Sequence, residues 1–530
     1  MGDTRRFYWI TVGTLGWMTL SSSIVGCDAR PTSNNVPPGV QQDSSPQFSG
    51  QGASGRSGGG VEDKSYAKTL QKDLIGRAEP QGARTGNSRT GNSRTRNSEV
   101  GNSEEQARGD AERRIGRRYS GPPPIDPMQL EAAGIRRVAG KHLTLYTDLP
   151  RQPAIDELPR VFDLAVPQWC EFFAVEGQRV ADWHMTAYLI GDKNLFRRVR
   201  VLRAGLPPFL NGYQMGFEIW CYKQPSDYYR RHLLLHEGTH GFMNHWLGGA
   251  GPPWYMEGSA ELLATHSWLD GSLTLKAFPR DRRESSHWGR IKAIKDELLA
   301  DRGMSLQEIM RYTDRDHMTV EPYAWCWAAS AFFEQHPLTR TSFAGLRNEA
   351  GDRSHAFSRR FREGLQDDWP ILTHQWQMFV RNLDYGYELQ RELFVSKSAR
   401  PIGRDETQLT VAADRGWQST GLELAAGSTV SLEAWGRYQI ATEPETWWCE
   451  PNGVTIRYYN GLPLGILLAT VLDETTPAAH SPLVSPTPIG LSQEILVESN
   501  GILYLRINED PAQHHDNWGE LAVTVRLVTK

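Results

Sequence analysis

From about Pro127 onward, apolar residues recur at spacings that specify elements, and before it they hardly recur at all. His142-Leu143-Thr144-Leu145-Tyr146-Thr147 alternates with the period of a strand. Within Ala154–Phe173, Leu158, Val161, Phe162, Leu164, Ala165 and Trp169 repeat with helical spacing, with Pro159 and Pro167 as potential interruptions. Met185–Ile190 predicts a second strand and Tyr213–Tyr222 a third. The pattern is then mostly helical to about Phe394, which makes residues 126–398 an α+β domain. After a change of composition at Ser396–Thr407 the period changes as well. Short runs at Leu409–Val411, Thr429–Ala434, Gly453–Tyr459, Leu503–Ile507 and Leu521–Val525, separated by Gly and Pro turns, predict a β-sandwich over residues 405–530.

The first quarter of the chain has a different character. Residues 28–125 are rich in Gly, Ser, Asn, Arg and Pro and carry the degenerate repeat Thr85-Gly86-Asn87-Ser88-Arg89, Thr90-Gly91-Asn92-Ser93-Arg94. Such a composition cannot bury enough apolar surface to offset chain entropy, so a flexible tether is expected. Ahead of it, Arg5 and Arg6 precede a short apolar stretch and then Ile24-Val25-Gly26-Cys27. A basic start, an apolar middle and a small-residue site predict a secretory signal over residues 1–27. The stretch is too short and too interrupted for a membrane span. Ile-Val-Gly-Cys resembles a bacterial lipobox, which implies a lipid on Cys27. The expected location is therefore the cell envelope, periplasmic or at the cell surface, with the membrane reached through that lipid. With 58 basic and 62 acidic residues the net charge is -4, so no nucleic-acid partner is expected. Cys170, Cys221, Cys326 and Cys449 match no zinc spacing and are read either as one or two disulfides or as buried thiols.

The chemistry concentrates in Pro225–His240, which ends His236-Glu237-Gly238-Thr239-His240. Ser226 can cap a helix here and Asp227 suits its first turn. Residues four apart share one helix face, so both imidazoles can reach a single Zn2+. Glu237 sits one step round, placed to act as a base toward water. With 15 His in the chain, a chance His-Glu-x-x-His is expected in roughly a few per cent of such sequences, so the match needs a second feature. That feature is Pro252-Pro253-Trp254-Tyr255-Met256-Glu257-Gly258-Ser259-Ala260-Glu261, which opens a second helix and offers Glu257 as a third ligand.

His-Glu-Gly-Thr-His followed by Trp-x-x-Glu-Gly-x-Ala-Glu resembles the gluzincin metallopeptidases, with the nearest likeness to the peptidase-MA-like domains. The resemblance implies that His236, His240 and Glu257 bind zinc and that Glu237 is the general base. Its motifs occupy only Leu233–Glu261, within a likeness extending over Gly134–Phe394. Glu261 lies one turn past Glu257 and either orients a ligating histidine or is a solvated helix residue. His232 is read as a structural histidine, with a metal role as the alternative. Glu321-Pro322-Tyr323-Ala324 resembles the start of the helix that carries the oxyanion-stabilising tyrosine in aminopeptidase-like gluzincins, which makes Tyr323 a donor or a packing residue. No segment matches the signature that grips a free substrate N-terminus, so an endopeptidase is the expectation.

In the C-terminal part, Trp417-Gln418-Ser419-Thr420-Gly421 and the run Ile507–Pro511 to Asp516-Asn517-Trp518-Gly519 resemble the PA-IL-like galactose lectins, small jelly-roll-like sandwiches of the galactose-binding-like class. That family holds Ca2+ in the loop before the last strand, which implies Glu509, Asp516 and Asn517 here. Glu stands where the family has Asp, and no segment matches its sugar contacts. The domain is thus either a carbohydrate-binding module or a stabilising sandwich. The whole predicts a zinc-dependent peptidase acting on a protein or peptide substrate. The competing expectation is a non-catalytic surface adhesin whose lectin-like sandwich carries the function.

Overall fold

The computed structural model describes residues 126–203 and 206–528. The expected signal, lipobox and tether lie outside the described residues. Among the described residues, no helix is long and apolar enough to cross a membrane.

The chain is α+β up to about Phe394 and β-rich beyond it. Strands β1 (Arg136–Ala139), β2 (Leu143–Thr147), β3 (Met185–Ile190), β4 (Gly212–Met215) and β5 (Glu218–Tyr222) form one sheet in the order β1-β2-β3-β5-β4. β2, β3 and β5 are mutually parallel, while β1 and β4 close the two edges antiparallel. The expected third strand is therefore two. Gly216, at φ 61°, turns the chain back within Tyr213–Tyr222 and makes a hairpin.

Alternation along these strands sorts the core. Leu143, Leu145, Met185, Ala187, Ile219 and Cys221 join the main cluster with the helices. Tyr146, Tyr188, Trp220 and Tyr213 face the other way. They stand opposite one another in register and stack with ring centroids 5.9 to 6.4 Å apart. On the first face lies helix α1 (Leu158–Phe173), which Pro167 does not break. Helices α2 (Asp227–Trp246) and α3 (Pro253–Ala264) follow, then the hairpin β6 (His266–Leu269) and β7 (Ser272–Leu275). Helices α4 (Arg290–Leu299), α5 (Glu321–Gln335) and α6 (Trp369–Asn382) belong to the same helical part. α3 packs against both α2 and α5.

The β-rich part consists of β8 (Arg400–Pro401), β9 (Thr407–Ala412), β10 (Gln418–Leu424), β11 (Thr429–Trp435), β12 (Tyr438–Ala441), β13 (Trp447–Cys449), β14 (Asn452–Tyr459), β15 (Leu462–Leu472), β16 (Thr487–Pro488), β17 (Ser492–Leu496), β18 (Gly501–Ile507) and β19 (Glu520–Leu527). One sheet runs β14-β15-β18-β10-β8 and the other β17-β11-β19-β9. Leu422, Leu467, Leu503 and Leu505 of the first sheet bury against Val430, Leu432, Val523 and Val525 of the second, the arrangement of a sandwich. The four described cysteines are free and buried, so disulfides among them are ruled out in favour of buried thiols.

Candidate metal centre

Helix α2 starts where the sequence places its cap. Ser226 Oγ accepts from the Tyr229 amide at 3.1 Å, and Asp227 occupies the first turn. Leu233, Leu234 and Leu235 are buried and fix the helix against the core. That rotation leaves His236, Glu237 and His240 on the side facing β4 and α3. Helix α3 opens on Pro253 at its first position, with Pro252 as the cap. Gly258 lets it approach α5 closely, since a Cβ there would lie 2.2 Å from Ser330 Oγ and 2.7 Å from the Cys326 carbonyl. The packing of α3 against α2 brings Glu257 to the two histidines.

Three atoms converge. His236 Nε2 is 3.0 Å from His240 Nε2 and 3.2 Å from Glu257 Oε2, and His240 Nε2 is 3.3 Å from the same oxygen. Ligands at about 2.0–2.1 Å from a tetrahedral zinc stand about 3.3 Å apart, so these atoms form one face of such a tetrahedron. Glu257 Oε2 is buried and satisfied by no hydrogen bond. The donor set of two imidazoles and a carboxylate, together with that orphaned oxygen, fits zinc.

The charges respond to this crowding. Burial works to raise the Glu257 carboxyl, but His240 and His236 outweigh it and hold it well below the usual range. Burial works to lower the His236 ring, and the carboxylates of Glu257 and Glu261 overcome it and push it up. Glu237 is raised, chiefly by burial, while the neighbouring histidines pull the other way. Tyr323 stands near the start of α5, its ring 6.0 Å from that of His236. Burial, then the carboxylates of Glu257 and Glu237, drive its phenol far above the ordinary value. Its hydroxyl faces the His317 carbonyl at 3.5 Å.

Glu261 is no solvated helix residue. It is 1 % exposed, and Arg290 grips it with Nε to Oε2 at 2.9 Å and Nη2 to Oε1 at 2.8 Å. Its Oε1 lies 3.3 Å from His236 Nδ1 and its Oε2 lies 3.2 Å from His232 Nε2. Neither histidine contact has the alignment of a full hydrogen bond, whereas both guanidinium contacts do. The other nitrogen of His232, Nδ1, sits 3.0 Å from the Ala264 carbonyl, so this ring ties α2 to the end of α3.

In the sandwich, Glu509, Asp516 and Asn517 share one loop and one property. Each is tied by one atom and leaves another free. Glu509 Oε1 accepts from the Asp510 amide at 2.9 Å, Asp516 Oδ2 from the Thr442 amide at 3.1 Å, and Asn517 Nδ2 donates to the Ala413 carbonyl at 3.0 Å. Glu509 Oε2, Asp516 Oδ1 and Asn517 Oδ1 are buried without a partner. Burial, with Asp510 and Asp516 beside it, pushes the Glu509 carboxyl up to about 8.

No protein-family model matches the chain, and no curated protein matches it significantly. Among solved structures it is similar to the N-terminal domain of EclA, a PllA-like lectin, with 23 % identity over 23 % of this chain and 95 % of that one, at a TM-score of 0.18. It is similar to PliG of Aeromonas hydrophila, a periplasmic inhibitor of g-type lysozyme, with 10 % identity over 25 % of this chain and 100 % of that one, at a TM-score of 0.13. A third similarity is to IMPa from Pseudomonas aeruginosa in complex with an O-glycopeptide, with 11 % identity, 74 % of this chain and a TM-score of 0.15. The chain spans 42 % of that protein.

Two residues at the centre carry no sequence signal. Arg290 is separated from Glu261 by 29 positions and belongs to no motif. Gly212 lies in the edge strand, and a Cβ there would stand 2.5 Å from Glu237 Oε1.

Proposed function

We propose that this chain hydrolyses peptide bonds with zinc held by His236, His240 and Glu257, as a metallopeptidase of gluzincin type. The observation that carries the reading is the triangle of His236 Nε2, His240 Nε2 and Glu257 Oε2, with sides of 3.0 to 3.3 Å. Zinc bound there supplies Lewis acidity to a substrate carbonyl and lowers the pKa of water toward neutrality. Glu237 takes the proton from the attacking water and passes it to the leaving amine. A carboxyl raised by burial is better matched to both duties near neutral pH than an ordinary one. Tyr323 keeps its proton, held there by burial and the nearby carboxylates, and donates it as a hydrogen bond to the developing oxyanion.

The substrate in this reading is a protein or peptide. The sandwich is an accessory module that holds Ca2+ through Glu509, Asp516 and Asn517 and takes up carbohydrate. The orphaned oxygens of those three residues support a hard cation, which wants six to eight oxygen ligands and would draw the rest from backbone and water. Export and a lipid on Cys27 would keep the enzyme in the cell envelope, with the Gly- and Ser-rich segment as its tether.

Metal content of the purified chain tests the reading. About one zinc per chain is expected, lost in His240→Ala and retained in Glu237→Gln. Turnover of a peptide library should fall at least about 100-fold in Glu237→Gln, the scale of a lost general base. Wild-type protein that neither contains zinc nor takes it up would end the peptidase proposal.

A further inference from the structure

Glu261 belongs to a second potential metal-binding group. His232, His236 and Glu261 place ligand atoms within 4.8 Å of one another, as do His236, His240 and Glu257. His236 is common to both, with Nε2 toward the first group and Nδ1 toward the second. An imidazole can serve two ions through its two nitrogens, so geometry alone does not say that one metal binds here rather than two.

The guanidinium of Arg290 decides between them. Its fork fills both oxygens of Glu261, the arrangement in which Arg and a carboxylate bind most specifically. A metal in the second group would bind the same two oxygens that the guanidinium holds, with its positive charge set against that of the arginine. Arg290 is 7 % exposed and is the first residue of α4, where the helix dipole disfavours a cation. A buried cation at that end needs a counter-charge, and Glu261 supplies the carboxylate, while Arg290 Nη1 donates to the Trp288 carbonyl at 3.4 Å. The same guanidinium lies 5.8 Å above the ring of Tyr323. One side chain thus touches the carboxylate behind His236 and the ring of the candidate oxyanion donor.

We propose that Arg290 is a positioning residue of the candidate zinc site, occupying the place a metal would take among His232, His236 and Glu261. By clasping Glu261 it fixes an oxygen 3.3 Å from His236 Nδ1. That sets the orientation of the ring, with Nε2 aimed at His240 and Glu257. It also shuts the second group to metal, so that a constellation with two overlapping triads takes one ion. The inference rests on the zinc reading of the first triad.

Cobalt(II) titration of the full chain, followed by its visible d–d bands, tests it in wild type, Arg290→Met and Arg290→Lys. Wild type should bind one equivalent. In Arg290→Met the first equivalent should bind about 10- to 100-fold more weakly with shifted bands, the usual range for loss of a group that orients a ligand. A second, weaker equivalent should appear, and it should vanish when His232→Asn is added. Arg290→Lys keeps the charge without the fork. It should shift the bands without admitting a second ion, and it serves as the folded control if the Met variant is unstable. Wild-type affinity, bands and stoichiometry in both variants would overturn the role of Arg290 and leave the zinc site standing. Failure of the wild type to bind cobalt would instead overturn the zinc reading.

Discussion

A methyl group at position 212 would lie 2.5 Å from Glu237 Oε1 and 2.9 Å from Leu233 Cδ1, so the edge strand passes α2 only because residue 212 is glycine. Glu237 has no slack on that side. In Gly212→Ala the carboxylate must move, and a displacement of order 1 Å in a catalytic group costs about 100-fold in rate. We expect kcat to fall by about that factor while zinc content stays at one per chain, because the atoms nearest a side chain at 212 belong to Glu237 and Leu233 and to none of the three proposed ligands. Unchanged kcat at full zinc content would show that Glu237 works from a position clear of the strand. Legibility at this scale follows from locality. His236, Glu237 and His240 stand within one turn and a half of one helix, so their spacing puts them together, while Glu257, in the second turn of the next helix, is legible through the resemblance of the paired motifs. Gly212 and Arg290 reach the same centre from other elements, through contacts that leave no periodic trace in the chain.

At the scale of elements, regular periods were legible and irregular ones were not. The helix over Leu158–Phe173 shows its apolar stripe, and Pro167 sits inside it without ending it. The hairpin of β4 and β5 was hidden because its turn needs only Gly216, with no longer polar break. β15, Leu462–Leu472, lacks the alternation that marks a half-buried strand, since most of its length is buried. The hairpin of β6 and β7 begins with His266, whose environment has a consequence for stability. Its Nε2 accepts from Arg231 Nε at 3.2 Å and its Nδ1 donates to the Ala264 carbonyl at 2.8 Å, a pairing only the neutral ring can make. Burial lowers its pKa from 6.5 to about 3, and burial lowers His336 from 6.5 to about 4. Both rings take up protons more readily when unfolded, so the stability they contribute is present above pH 6.5 and lost as pH falls toward 4 and then 3. Each group can contribute a slope of up to about 1.4 kcal/mol per pH unit in that window. Urea midpoints measured from pH 7 to 4.5 should fall, and His266→Gln should flatten the slope. An equally steep fall in the variant would place the acid sensitivity elsewhere.

At the scale of the whole described chain, the change of composition at Ser396–Thr407 is a change of architecture but not a free linker. Phe394 packs with Trp417, Leu468 and Tyr504 of the sandwich, in a cluster that also includes Ile371 of α6. On the same helix, Gln377 Nε2 donates to the Ala478 carbonyl at 2.9 Å, and its Oε1 accepts from the Ser481 amide at 2.8 Å. Deepest in the joint, His514 Nδ1 meets Glu392 Oε1 at 2.5 Å, with the histidine 0 % exposed. Burial works to raise the Glu392 carboxyl, and His514 outweighs it and holds it down. A buried pair of this kind contributes little net stability when compared with apolar residues of similar size, yet removing one member strands the other charge at a cost of about 3–5 kcal/mol. The α+β part and the sandwich should therefore unfold together. We expect one transition in denaturant melts followed by tryptophan fluorescence and by far-ultraviolet circular dichroism, with coincident midpoints. His514→Leu should lower that midpoint strongly, and adding Glu392→Leu should recover part of the loss, incompletely because Glu392 also faces the buried guanidinium of Arg506. Two separated transitions in the wild type would mean that the joint transmits no stability, and His514→Leu would then disturb only the sandwich transition. A single transition with recovery in the double variant would mean that the loop carrying Glu509, Asp516 and Asn517 is braced by the domain that carries His236, so that a cation bound in that loop would stabilise both parts at once.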